Sequence, residues 1–407
     1  MTRKKVAFIS HSCIESSSRT KLAYLARHTE LRLVTPSWYP TPFGRYEVDF
    51  KFNPQVPIRK YRIGFLNVRR SSTRWFLYSH NLDFPHFQPD IIHVENECHS
   101  WIVCQALLYR RWFAPRAKVV VFCWDNLYWW ELGAKEKALE RLAQLTRRHI
   151  DFFITGNSAG KQLLISRGVP SDKVEVIPQF GIDPELFFPL TTEKRELRRE
   201  QLGILPGEFV IGYVGQLIEE KGLFDLVEAV TLLRADSQQQ IALLMIGRGQ
   251  LGQEVQSRCT QSGLKLILLP PRRNDQVAEV MNAMDVLVLP TYTKPPIKEQ
   301  FGRVLIEAMA CGVPVIGSTC GDIPNVIGAA GLVFPERQTR ELAQCLRLCS
   351  NESFRLQLRK RGLDRVLKSY TNQRVAEQTL KVYERVSCSP SVVKGTQREK
   401  LTRPSMA

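Results

Sequence analysis

Residues 298–318 read KEQFGRVLIEAMACGVPVIGS, and the order of residue types in this stretch decides the fold. Val304, Leu305, Ala308 and Met309 recur at helical spacing, so a helix with one buried face opens at about Gly302. Gly312 ends it, and Pro314 keeps it from resuming. The Val315-Ile316 pair, short, β-branched and bounded by Gly317, then reads as a buried strand. Loop, helix and strand in that order are one step of a doubly wound α/β sheet.

A helix that opens on Phe301-Gly302 leaves its first N–H groups without partners, and glycine lets a ligand approach the backbone. The amides at Phe301, Gly302 and Arg303 therefore read as an anion site suited to a phosphate. Helical side chains lean toward the N-terminus, so Glu307 points back to the same opening, and Glu299 precedes it on the loop. A diphosphate on the helix end, sugar hydroxyls at Glu299 and ribose hydroxyls at Glu307 would suit a nucleotide-sugar. The competing reading leaves Glu299 complementing the helix dipole and Glu307 solvated on the outer face.

The flanking residues favour the first reading. E-Q-F-G-R-V-L-I-E followed by A-M-A-C-G-V-P-V-I resembles the Glu-x7-Glu signature of the retaining glycosyltransferases of family 4. That resemblance implies the GT-B architecture, an α/β fold of two Rossmann-like doubly wound domains facing across a cleft. It divides the chain into an acceptor-side domain at 1–183, a linker at 184–207, a nucleotide-sugar domain at 208–368, a helix at 369–387 that returns to the first domain, and a disordered tail at 388–407.

Composition agrees with two domains. At 407 residues and 44% hydrophobic content the chain can build two cores, and its apolar runs, such as 119–124 and 241–246, are too short to span a bilayer. The opening MTRKKVAFISHSC lacks the apolar core of a signal peptide, so a cytoplasmic protein is expected. Ten cysteines without a Cys-x-x-Cys pair read as small buried residues in a reducing compartment; Cys345 and Cys349 are spaced to share a helix face but have no histidine partners for zinc. The net charge of +17 concentrates early, with 27 Lys and Arg against 17 Asp and Glu in residues 1–190. There Arg59, Lys60, Arg62, Arg69, Arg70 and Arg74 interleave with Tyr61, Phe65, Trp75, Phe76 and Tyr78. This mixture suits an anionic membrane surface, where rings sit at the interface. RNA, or a plain basic exterior over an aromatic core, remain the other readings.

Along the first domain KKVAFIS, ELRLVTP, PDIIHVEN, KVVVFCWDN, DFFIT and VEVIP read as strands, separated by helices. A Pro- and aromatic-rich region lies between the second and third of them. The loop after the first strand, usually glycine-rich in the family, reads His11, Ser12, Cys13 and a serine run. Trp124, Asp125 and Asn126 fall at a strand's C-terminal end, where ligands of α/β sheets collect. The family often has a His there, so Asp125 is the expected substitute at the sugar–acceptor junction, with His11, Ser12, Trp124 and Asn126 on the acceptor side. Residues 184–207, Pro-containing and then charged, are not expected to hold a core.

The second domain opens with EFVIGYVGQLIEEKG. The family's turn has an Arg after its Gly and a Lys five residues on, both toward the diphosphate; here Gly215 is followed by Gln216, and Lys221 keeps the ammonium. Gly247, Gly249 and Gly252 spell G-x-G-x-x-G but follow the second strand, not the first, which argues against a dinucleotide cofactor. Gly247 is then part of a donor-side turn, and Leu268 begins the segment that holds the nucleobase in relatives.

No Asp-x-Asp occurs, so no metal is expected, and no cofactor beyond the substrate itself. The resemblance implies transfer of a sugar from a nucleoside-diphosphate donor to a glycan or lipid-linked acceptor with retention at the anomeric carbon. Glu299 would hold the donor sugar and Lys221 the departing phosphate. A non-hydrolysing sugar-nucleotide epimerase shares the architecture. A basic nucleic-acid-binding protein is the rival from another class, and it leaves the segment Glu299 to Glu307 without a purpose.

Overall fold

In a computed structural model the chain forms two lobes, each built on one twisted parallel sheet; the structure describes residues 3–41, 44–47, 56–64, 77–79, 82–126, 133–237, 239–295 and 297–388. Strands β1 (Lys4–Ser10) and β2 (Thr29–Pro36) precede an antiparallel pair, β3 (Trp38–Thr41) with β4 (Gly44–Glu47). Next come β5 (Ile58–Tyr61) and a second antiparallel pair, β6 (Ile63–Gly64) with β7 (Leu77–Tyr78). Then follow β8 (Ile91–Glu95), β9 (Lys118–Cys123), β10 (Phe152–Thr155) and β11 (Val174–Val176). The first lobe's sheet has the order β11-β10-β9-β8-β1-β2-β5.

The second lobe contributes β12 (Phe209–Val214), β13 (Ile241–Ile246), β14 (Lys265–Leu269), β15 (Val286–Leu289), β16 (Val315–Ser318) and β17 (Leu332–Phe334), ordered β14-β13-β12-β15-β16-β17. Both sheets reverse direction once, between β1 and β8 and between β12 and β15. At such reversals the loops diverge and leave a crevice beyond the strands' C-terminal ends.

The strands are apolar on both faces because helices cover both. In β1, Ala7 and Ile9 pack into one core and Val6 and Phe8 into the other. In the second lobe Leu244 and Ile246 of β13 serve one side, Leu243 and Met245 the opposite one. Near-continuous hydrophobic runs are what parallel sheets with two covered faces require.

The helix Asn372–Cys388 packs on the first lobe beside the helix Thr20–His28, placing Val375, Ala376, Val382, Tyr383 and Val386 in one core with Phe8, Leu22 and Leu25. The chain therefore crosses between lobes twice, and the two crossings are bonded to each other. Ile182 N–H donates to the Tyr370 carbonyl at 2.7 Å, and Asn372 N–H donates to the Ile182 carbonyl at 2.9 Å. Gly181 lies so close that an added Cβ would overlap the Asn372 backbone. We expect Gly181→Ala to destabilise the protein by about 1–3 kcal/mol through this overlap. A lowered melting temperature with new protease cleavage near residue 370 would register it.

Residues 184–207 are not a bare tether, contrary to the reading from their charge. Thr192–Gln201 is a helix capped by Thr191, and Phe187 and Ile204 are buried in the second lobe's core. The run EKRELRREQ lacks an apolar face but docks by charge: Arg195 and Arg199 reach Asp285 at 2.7 and 3.2 Å. Of the basic aromatic segment, Arg59, Lys60 and Tyr61 form strand β5, and Arg62 and Tyr78 are also described. Phe65, Arg69, Arg70, Arg74, Trp75 and Phe76, like 389–407 of the expected tail, lie outside the described residues.

Candidate functional site

The site forms at the second lobe's reversal point, facing the first lobe. Gly302 takes a left-handed conformation (φ 75°, ψ 55°) and opens the helix Arg303–Ala310. Its positive φ suits glycine, and a Cβ would press on the Leu289 and Leu305 side chains. Gly222 does the same (φ 67°) for the helix Leu223–Ala235, with its missing Cβ against the Pro290 carbonyl. Two helix N-termini are thereby brought to one crevice.

Between them lies an ion pair. Lys221 Nζ is 2.7 Å from Glu299 Oε2, and Thr291 Oγ1 donates to the same oxygen at 3.3 Å. Both charged side chains are mostly covered, at 22% and 15% exposure, yet reachable. The backbone of Glu299 is held independently of its side chain: its carbonyl accepts from Asp322 N at 3.2 Å and Asn126 Nδ2 at 3.5 Å, and its N–H donates to Cys320 Sγ at 3.4 Å. Gly321 packs so tightly on the Glu299 carbonyl that no side chain fits there.

Glu307 is buried at 8% exposure and points back along its helix to Arg303, whose Nε lies 2.8 Å away. Burial pushes the Glu307 carboxyl up, and the guanidinium pulls it partly back. Arg303 in turn lies over the Phe180 ring, 5.8 Å from its centre, on the first crossing between lobes.

The expected glycine turn is present but packs differently. An added Cβ on Gly247 would run into the Gly215 carbonyl, and one on Gly249 into Leu217, so these glycines let the loops after β12 and β13 lie in contact. Gln216 is exposed, and its carbonyl accepts from Tyr213 Oη at 2.7 Å. Leu268 sits inside the edge strand β14, in register with Met245.

Across the cleft, Trp124 and Asn126 meet the Glu299 loop: Gln300 Nε2 donates to the Trp124 carbonyl at 3.1 Å, and Asn126 bonds Glu299 as above. The Trp124 ring packs against cores of both lobes. Asp125 lies between Trp124 and Asn126 in sequence, at the same strand end. It lines a small cavity with Glu97, His99 and Arg167, and its charge bears on Arg167 and Cys123. Glu97 Oε1 accepts from both Trp124 N (2.6 Å) and Asp125 N (3.0 Å) and so sets the turn.

At the first lobe's own reversal point the crevice is filled by a polar cluster that local sequence patterns conceal. Lys21 is 4% exposed; its ammonium donates to Glu95 Oε1 and to the Gln179 carbonyl, each at 2.5 Å. Ser10 Oγ and Gln179 Nε2 donate to Glu95 Oε2 at 2.6 and 2.9 Å. Gln179 also accepts from Trp124 Nε1 at 2.8 Å and donates to Ser12 Oγ at 3.4 Å. The serine loop is pinned from within by the buried Arg19, which donates to the Cys13 and Ile14 carbonyls at 2.6 Å. His11 lies half-buried beside this cluster; burial holds its imidazole down to about 4 despite the Glu95 charge, so it is neutral at ordinary pH. Among the described residues no group of three or more His, Cys, Asp or Glu is arranged to hold a metal ion.

Comparison with known proteins agrees with both lobes. Residues 194–365 match the family model for glycosyl transferases group 1, and residues 18–179 match the glycosyl transferase 4-like domain. D-inositol 3-phosphate glycosyltransferase of Jonesia denitrificans is 29% identical over 235 residues, 55% of this chain and 54% of that protein. The N,N'-diacetylbacillosaminyl-diphospho-undecaprenol alpha-1,3-N-acetylgalactosaminyltransferase of Campylobacter jejuni is 27% identical over 253 residues, 61% and 64% of the two chains. The chain spans about half the length of the first curated relatives it matches, 54%, 42% and 51%. Among solved structures, Anabaena HepE in complex with UDP superposes with TM-score 0.69 at 18% identity, covering 94% of this chain and 100% of that one. Sucrose-phosphate synthase of Thermosynechococcus elongatus gives 0.68 at 19%, covering 94% and 99%.

Proposed function

The chain belongs to the group 1 glycosyl transferases, with a glycosyl transferase 4-like first lobe, and from that premise we propose that it moves a sugar from a nucleoside-diphosphate donor to a hydroxyl of a glycan or lipid-linked acceptor. One observation carries this reading: the Lys221–Glu299 pair, 2.7 Å apart, joins the turn before the Gly222-opened helix to the loop that runs into the helix opened by Gly302. A diphosphate placed there meets an ammonium and backbone donors, which strengthen as the leaving group gains charge. These donors balance that charge without a metal ion.

The reaction proceeds with retention. The acceptor oxygen bonds to the anomeric carbon on the face from which the phosphate departs, the carbon–phosphate-oxygen bond breaks, and the acceptor proton passes to a phosphate oxygen of the leaving group. Glu299 holds the donor sugar, and Glu307 the ribose once Arg303 gives way. Trp124 and Asn126 set the acceptor's edge of the cleft. Relatives named for inositol 3-phosphate and for a diphospho-undecaprenol acceptor support a polar or lipid-linked acceptor here. The net charge of +17 suits work at the inner face of an anionic membrane, and a nucleic-acid partner would leave the segment Glu299 to Glu307 without a purpose.

A thermal-shift screen of uridine, guanosine and adenosine diphosphate sugars tests the proposal, because a ligand of the folded state raises its melting temperature. One donor class should stabilise the protein and give transfer to an acceptor that persists in a chelator. No stabilisation by any donor would overturn the reading. Conversion of the donor without an acceptor would make the protein an epimerase.

A further inference from the structure

A second concave site lies in the first lobe, among residues that have no part in the donor cleft. It is a cavity of about 460 Å³ between the end of the helix Ala134–Arg147, the start of β10 and the turn Ser171–Lys173, floored by Ile150, Phe153 and Val169. Its polar lining is Gln144 and four cations, Arg147, Arg148, Arg167 and Lys173. Arg147 is 9% exposed, so its charge belongs to the cavity wall and not to the outer surface.

The charges there do not balance. Glu140 serves two guanidiniums at once, Arg147 Nη2 at 2.5 Å and Arg167 Nε at 3.7 Å, and the Asp125 charge also bears on Arg167. This leaves Arg148 and Lys173, two exposed cations, as the excess at the rim. Nearby Asp151 is engaged by Arg110 and Lys118, each at 3.6 Å, and Asp172 stands beside Lys173 in its turn. Burial lowers the Arg167 guanidinium to about 10, Glu140 opposes this, and the like charge of Arg147 lowers it further. Cations gathered against their own repulsion around an open concavity are the arrangement that binds a multiply charged anion, and guanidinium forks match phosphate oxygens. The volume exceeds what one phosphate fills, and the apolar floor suits carbon attached to it.

We propose that this cavity binds an organic phosphate, its anionic group held between Arg147, Arg167, Arg148 and Lys173. The same chemistry is offered by a soluble phosphate ester and by a phospholipid headgroup. The test uses the full chain carrying Lys221→Ala, so that the donor site lacks its ammonium. Glycerol 3-phosphate is titrated calorimetrically, and vesicles of phosphatidylcholine, with and without phosphatidylglycerol, are sedimented with the protein. Saturable binding of one probe is expected, weakened at least about tenfold by Arg148→Ala with Lys173→Ala, since a charge-assisted bond is lost at each position. Arg111→Ala with Arg116→Ala removes equal charge from exposed positions elsewhere on this lobe and should leave binding unchanged. Binding of glycerol 3-phosphate assigns a soluble ligand, and binding only of phosphatidylglycerol vesicles assigns a headgroup. Binding of neither probe, binding that survives loss of Arg148 and Lys173, or an equal fall in both double variants overturns the site.

Discussion

Glu299→Gln should lower turnover about 10²–10³-fold while leaving affinity for the nucleoside diphosphate equal or slightly improved. The asymmetry follows from the geometry. Glu299 Oε2 is the partner of the Lys221 ammonium, so neutralising it frees that cation for the diphosphate. The loop keeps its place, because its anchors to Asp322, Asn126 and Cys320 are main-chain groups of Glu299. Lost turnover therefore reports the carboxylate itself and not a displaced backbone. Lys221→Ala should behave oppositely, weakening nucleotide binding together with turnover, because it removes the charge at the leaving phosphate. Calorimetry with the nucleotide and steady-state kinetics on both variants separate the two roles. Full turnover by Glu299→Gln would end the assignment.

The strands and the Gly302 helix were legible because their signals are local. A parallel strand covered on both faces must be an apolar run, and a helix that opens in the left-handed region needs glycine. Lys221 and Glu299 were legible too, each carried by a turn whose glycine and proline pattern fixes where the chain goes. What stayed hidden depends on contacts distant in sequence. Lys21 lies in TKLAYLARH, a helix whose pattern gives no warning that this charge is 4% exposed; its partners are 74 and 158 residues away. The helix Thr192–Gln201 has no apolar stripe, and its docking rests on Asp285 and on the Asn282 and Ala283 carbonyls, 84 to 90 residues away. Strand position puts Trp124, Asp125 and Asn126 at the cleft, and the side chain that fixes their backbone turn, Glu97, is 27 and 28 residues away from the two amides it holds.

Lys21→Met should destabilise the first lobe by about 3–5 kcal/mol, the largest stability effect expected from one side chain here. The substitution leaves Glu95 buried, with Ser10 and Gln179 as its remaining donors and without its ammonium partner. It also releases the Gln179 carbonyl, and with it the residue that holds the Trp124 indole between the lobes. The pH dependence identifies the cause. In the native protein burial opposes ionisation of Glu95, but Lys21 and the surrounding hydrogen bonds hold its carboxyl below the ordinary value of 4.5. A depressed carboxyl adds stability that is present above the unfolded value and lost as pH falls through the folded one. Without Lys21 burial prevails and the carboxyl rises above its unfolded value, so protonation relieves the variant as pH drops. The gap between native and Lys21→Met stabilities should be widest at neutral pH and narrow toward acid. Glu95→Gln on top of Lys21→Met should recover much of the loss at pH 7, since a neutral amide needs no countercharge. A gap that stays constant from pH 7 to pH 5, or a double variant no better than the single one, would mean that Lys21 acts through packing alone.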